Sequence, residues 1–101
     1  MLAAETEQRP ERKWRRTLRE LLARSSSANE REWLNRFTAE RVCSDHTLPS
    51  TVSELERTKG LRFDRKEIEV QGYAGEPARL TAYRVATDSL QRARALLGAA
   101  P

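Results

Sequence analysis

Apolar residues recur along the chain at two different spacings. Trp14, Leu18, Leu21 and Leu22 fall at i, i+4, i+7 and i+8, one face of a helix, while Arg12, Arg15, Arg16 and Arg19 occupy the other sides. This pattern predicts a first helix over residues 10–24. Pro10 suits its first turn, where the missing N–H would be unpaired anyway, and Glu11 suits the positive end of the helix dipole. The run Ser25, Ser26, Ser27 ends it. Ser27 and Glu30 have the spacing of a capping box, so a second helix is expected over about 28–38, docked on the first through Trp33, Leu34 and Phe37. Residues 39–48 read as a connector with room for one further helical turn. From Pro49 to Lys59 the helical period returns. Leu48, Val52, Leu55 and the stem of Lys59 share one face, and Ser50, Ser53, Glu54 and Arg57 face away, flanked by Thr51 and Thr58. Gly60 supplies the left-handed conformation that closes a helix.

After Gly60 the period falls from 3.6 to 2. In RFDRKEIEV, Lys66, Ile68 and Val70 oppose Arg65, Glu67 and Glu69; in ARLTAYRV, Thr81, Tyr83 and Val85 oppose Leu80, Ala82 and Arg84. QGYAGEP lies between them, rich in glycine and closed by proline, which predicts a β-hairpin with a longer loop. Asp88 to Gln91 repeats the capping pattern with an aspartate cap. Leu90, Ala93, Leu96 and Leu97 then form a narrow apolar stripe ending at Gly98, so a short amphipathic helix is expected at the C-terminus. There is no internal repeat. The organisation expected is a flexible tail over 1–9, one domain over 10–86, and a C-terminal helix and tail over 87–101.

Composition narrows the function. The 101 residues are 38% hydrophobic and 34% charged, the profile of a highly charged soluble chain. No apolar run approaches the roughly 18 residues that suggest a membrane span, and the start MLAAETEQRP is unlike a signal peptide, so a cytoplasmic location is expected. A lone Cys43 cannot form an internal disulfide, and with a single histidine, His46, it cannot build a structural zinc site. Cys43 reads as a small buried hydrophobe and His46 as a loop residue. No glycine-rich phosphate loop, nucleotide fingerprint or serine–histidine–acid set is present, so neither an enzyme, a cofactor, a metal nor a small-molecule substrate is expected. The net charge of +4 leans toward polyanionic partners, although most of the excess lies in residues 1–24, with seven basic and four acidic side chains. The arginine cluster of the first helix reads as a solvated face with phosphate contact as the alternative. Trp14, Trp33 and Phe37 read as core anchors.

The order of three helices and a hairpin carries a family resemblance. The stretch STVSELERTKGL looks like the third helix of small bacterial and phage winged helix proteins, and TAYRV is similar to the returning strand of their wing. The resemblance spans about residues 12–86 and implies an α+β winged helix-turn-helix fold: three helices, a two-stranded β-hairpin wing and here a short C-terminal helix. It also implies binding of double-stranded DNA, with the third helix in the major groove and the wing on the backbone or in the minor groove, as in a transcriptional regulator or phage-type accessory factor. On that reading Ser50, Ser53 and Arg57 meet base edges or phosphates, and Thr47 and Thr51 meet phosphate at the helix start. Glu54 accepts from a cytosine amino group, Lys59 and Arg65 contact phosphate, and Tyr73 and Arg79 of the hairpin contact the backbone or minor groove. Glu54 and Glu56 on the same helix also motivate an alternative, a winged helix that docks proteins; a structural component of a larger assembly is a third. The C-terminal stripe either packs back on the domain or forms a homodimer seam.

Overall fold

Helix α1 (Lys13–Arg24) begins after Arg12, whose carbonyl accepts hydrogen bonds from the amides of Arg15 and Arg16. The structure, a computed structural model, describes residues 11–98 except for the side chain of Tyr73; the expected tail 1–9, Pro10 and residues 99–101 lie outside the described residues. Leu18 and Leu21 of α1 are fully buried, with Trp14 and Leu22 half-buried beside them, as the spacing predicts, and Thr17, outside that apolar face, is fully buried too. Glu11 pairs with Arg15 and Arg19 on the outer side. Ser25 ends the helix and ties it to the hairpin: its hydroxyl donates to the Leu21 carbonyl and accepts the Val85 N–H at 2.8 Å.

The helix expected over 28–38 does not form. Its place is taken by a single 3₁₀ turn (Glu30–Glu32), an extended stretch through Trp33, Leu34 and Asn35, and helix α2 (Arg36–Cys43), so most of the expected connector is helical. The reason is hydrogen bonding on both sides of the extended stretch. Ser27 Oγ accepts from the Asn29 N–H and Asn29 Oδ1 from the Arg31 N–H, closing local turns instead of the capping box. Asn35 Oδ1 then accepts from the Thr38 N–H at 3.0 Å and is the true N-cap. Between them Leu34 exchanges two backbone hydrogen bonds with Tyr83, at 3.0 and 2.8 Å, adding a one-residue strand to the hairpin. Trp33 therefore turns away from α1 and buries against the hairpin, its indole N–H donating to the Ser27 carbonyl and the Arg84 guanidinium lying 4.4 Å from its ring centre. Phe37, expected in the core, is 40% exposed because α2 starts one residue before it and faces it outward.

Helix α3 (Leu48–Lys59) forms as the periodicity predicts, with Leu48, Val52 and Leu55 buried and Gly60 closing it at φ 67°. Strands β1 (Phe63–Gln71) and β2 (Pro77–Val85) pair antiparallel, in a register running from Phe63↔Val85 to Gln71↔Pro77. The predicted alternation holds, and both faces are used at the hairpin's base. Phe63, Tyr83 and Val85 join the core formed by the helices, while Ile68, Leu80 and Ala82 form a second cluster under Trp33. A 3₁₀ turn (Thr87–Ser89) leads into α4 (Leu90–Gly98). The expected aspartate cap is not made: Asp88 faces the Arg62 guanidinium at 3.4 Å, and the Ser89 hydroxyl accepts the Arg62 N–H. Helix α4 packs on α1 through buried Ala93 and half-buried Leu90, Leu96 and Leu97. The Arg15 guanidinium donates to the carbonyls of Leu96 and Leu97 at 3.0 and 2.9 Å, satisfying acceptors at the end of α4. Among the described residues no helix is long and apolar enough to cross a membrane.

Candidate nucleic-acid interface

A helix that buries positions 48, 52 and 55 must turn positions 50, 53, 54 and 57 outward, because successive residues rotate by about 100°. Ser50, Ser53, Glu54 and Arg57 are all exposed and, with Pro49, line a shallow depression along α3. Among the described residues Arg57 has no carboxylate within salt-bridge distance. These four of the sequence-predicted residues are brought together on one surface.

The others fall elsewhere. Thr51 is only 2% exposed, so the phosphate contact expected of it is not available. It points into the corner between α1 and the start of α3, where the carboxylate of Asp45 is completely buried. Asp45 Oδ2 accepts from the Thr17 hydroxyl at 2.8 Å, and Oδ1 accepts from the Thr47 N–H at 2.8 Å and, more weakly, from the Thr47 hydroxyl at 3.3 Å. Burial pushes the Asp45 carboxyl up. The hydroxyl of Thr51, the Thr47 amide, the Thr17 hydroxyl and the charge of Lys13 together outweigh that effect and hold it below the ordinary aspartate range. Cys43 borders this corner, and burial pushes its thiol up, consistent with an unreactive packed side chain.

Thr47 stays exposed, and Lys13 Nζ donates to its hydroxyl at 3.0 Å, which places an ammonium beside the first turn of α3. No sequence signal marks Lys13, because the pairing joins residues on separate elements. Lys59 lies with its ammonium 4.6 Å from the centre of the Trp14 ring. Arg65 makes a two-pronged bond to Glu56, 2.9 Å on each prong, and lies over the Tyr83 ring; Glu56 raises the Arg65 pKa further. The pair cancels one of the two acidic charges of α3 and also occupies one expected phosphate contact. Arg79 is 75% exposed on β2, with Glu67 at 3.9 Å. The backbone of Tyr73 lies in a 3₁₀ turn at the hairpin tip, and the contact expected of its side chain lies outside the described residues.

Two exposed side chains face the space between the hairpin and α2: Arg36, for which the sequence suggests no role, and His46, expected as a loop residue. Arg36 and His46 line a groove of about 590 Å³ with Phe37, Glu40, Gln71 and Gly72. His46 Nδ1 is 3.1 Å from Glu40, and the Arg36 guanidinium lies 5.3 Å from the Phe37 ring centre. Among the described residues no cluster of three or more His, Cys, Asp or Glu side chains is arranged to hold a metal ion. No family model, curated protein or solved structure matches this chain.

Proposed function

We propose that the chain is a winged helix protein that binds duplex DNA, with α3 in the major groove and the β1–β2 hairpin along the adjacent backbone, serving as a regulator or accessory factor of bacterial or phage type in the cytoplasm. The observation that carries this reading is the outward row Ser50, Ser53, Glu54 and Arg57 on a helix clamped from behind by Leu48, Val52 and Leu55. A major groove about 12 Å wide admits such a helix, and hydroxyls and a guanidinium are suited to phosphates and base edges. Rigidity adds support: Asp45 fixes the start of α3, and the Leu34–Tyr83 bridge fixes the base of the hairpin. Charge adds more, since Arg65 offsets Glu56 and leaves Glu54 as the acid facing solvent on the row. Leu96 and Leu97 pack on α1 but keep part of their surface in solvent, and that part is where two copies would pair on a two-fold site.

Titration of a duplex by fluorescence anisotropy across salt concentrations tests the reading. Binding near 50 mM salt with a clearly negative log–log slope is expected. Absence of binding, or a slope near zero, excludes it.

One observation favours a second reading, a protein-docking module: two expected phosphate contacts, Lys59 and Arg65, already have partners within the chain. Stoichiometric co-purification with a protein, free of nucleic acid, would support it.

A further inference from the structure

Among the described residues the hairpin presents a short unpaired edge on β2. In an antiparallel ladder, alternate residues turn their backbone N–H and C=O groups to opposite sides. The Ala86 N–H bonds to Arg62 in line with β1, whereas Tyr83 exchanges both of its bonds with Leu34 and the Val85 N–H goes to Ser25 Oγ. Thr81 and Arg79 share the parity of Tyr83, so their backbone groups also point away from β1, along the track that Leu34 begins. Beyond Leu34 the chain leaves that track, because Asn35 caps α2. Among the described residues the track is thus occupied at one residue by the chain itself and open at the next two.

A cleft of about 180 Å³ lies along this open part, lined by Arg36, Pro49, Arg79, Leu80, Thr81 and Tyr83. Two guanidiniums flank it. Arg36 has no carboxylate within salt-bridge distance among the described residues, and Arg79 has only the distant, exposed Glu67. Free N–H and C=O groups in strand register call for another extended backbone, and flanking cations call for acidic side chains on it.

We infer that the β2 edge docks an extended acidic peptide segment of a partner protein, which continues the strand begun by Leu34 and pairs with Thr81 and Arg79. The site uses backbone groups of the hairpin and does not depend on DNA binding by α3.

The probe is a fluorescein-labelled, end-blocked peptide Glu-Val-Glu-Val-Glu, titrated by anisotropy with the full chain and followed by amide NMR. Saturable binding is expected, with shifts and slowed exchange at the Thr81 and Arg79 amides. Thr81→Pro removes an outward N–H without touching the β1–β2 ladder and should weaken binding about tenfold, the value of one backbone hydrogen bond. Arg79→Glu, which leaves the backbone intact, should weaken it several-fold and serves if the proline variant fails to fold. Two further peptides, N-methylated at odd or at even positions, should differ, since only one of them keeps the amides that face β2. No binding, equal binding of the two methylated peptides, indifference to Arg79→Glu, or equal binding of Lys-Val-Lys-Val-Lys would overturn the inference. So would a result in which the peptide fails to bind and Thr81→Pro instead weakens duplex DNA binding, which would assign the cleft to phosphates. Arg57→Ala should leave peptide binding unchanged, which separates this test from that of the DNA reading.

Discussion

The inner corner and the outer face of α3 use the same kind of side chain in opposite ways. At the corner, Thr51, Thr47 and, from α1, Thr17 converge on the buried Asp45 carboxylate, and the hydroxyls of Thr17 and Thr47 donate to it. On the outer face, Ser50 and Ser53 meet solvent. These residues are neighbours in the run Ser50-Thr51-Val52-Ser53, and a rotation of about 100° per residue sends them to different environments. A hydroxyl on this helix is structural where α1 meets it and available to a ligand where nothing does.

Asp45→Ala should give the largest effect that tests this contrast. It strands the buried Thr17 hydroxyl and removes the acceptor at the start of α3, at a cost of about 3 kcal/mol in urea unfolding. A loss below about 1 kcal/mol would show that the corner is not a structural hub. Acid should act the same way. Because the folded Asp45 pKa is depressed, its stabilisation is fully present above the unfolded value near 3.9 and is lost as pH falls from there through the lower folded value. Stability measured downward from pH 5 should fall less steeply in Asp45→Asn than in the parent chain, and equal slopes would refute the assignment. Next in size, Thr51→Val keeps the packing and loses the hydroxyl, at about 1 kcal/mol. Smallest, Ser53→Ala and Arg57→Ala should stay within about 0.5 kcal/mol of the parent in stability. Arg57→Ala should nevertheless weaken duplex binding and make its salt slope shallower. If Ser53→Ala destabilises the chain as much as Thr51→Val, the two faces are not distinct.

The same contrast explains which parts of the fold were legible. Helix α1, α3 and the hairpin each carry a clean period and end on residues suited to stopping them, Gly60 above all. In residues 25–47 the spacing points to a cap at Ser27 with Glu30, whereas the folded chain uses Asn35, which accepts from the Thr38 N–H and is not read as a cap in the sequence. The exchange of hydrogen bonds between Leu34 and Tyr83 settles the choice, because it holds residue 34 extended and postpones the helix to Arg36. That postponement moves Trp33 under the hairpin and turns Phe37 to solvent, reversing the expectation for Phe37. At the candidate site, Ser50, Ser53, Glu54 and Arg57 were readable from the apolar positions opposite them. The burial of Thr51, the pairing of Arg65 with Glu56 and the approach of Lys13 to Thr47 were not.

The types of α1, α3 and the two strands, the outward row of α3 and the alternation of the hairpin follow from neighbours a few residues apart, since backbone geometry sets their directions, whereas in residues 25–47 the Leu34–Tyr83 bridge decided the element. Which polar groups are spent and which remain open depends on residues far apart in the chain that packing brings within hydrogen-bonding distance. Asp45 is the sharpest instance: in the sequence it is one more acid in a connector, and in the folded chain it is a fully buried acceptor that holds the start of α3 in place.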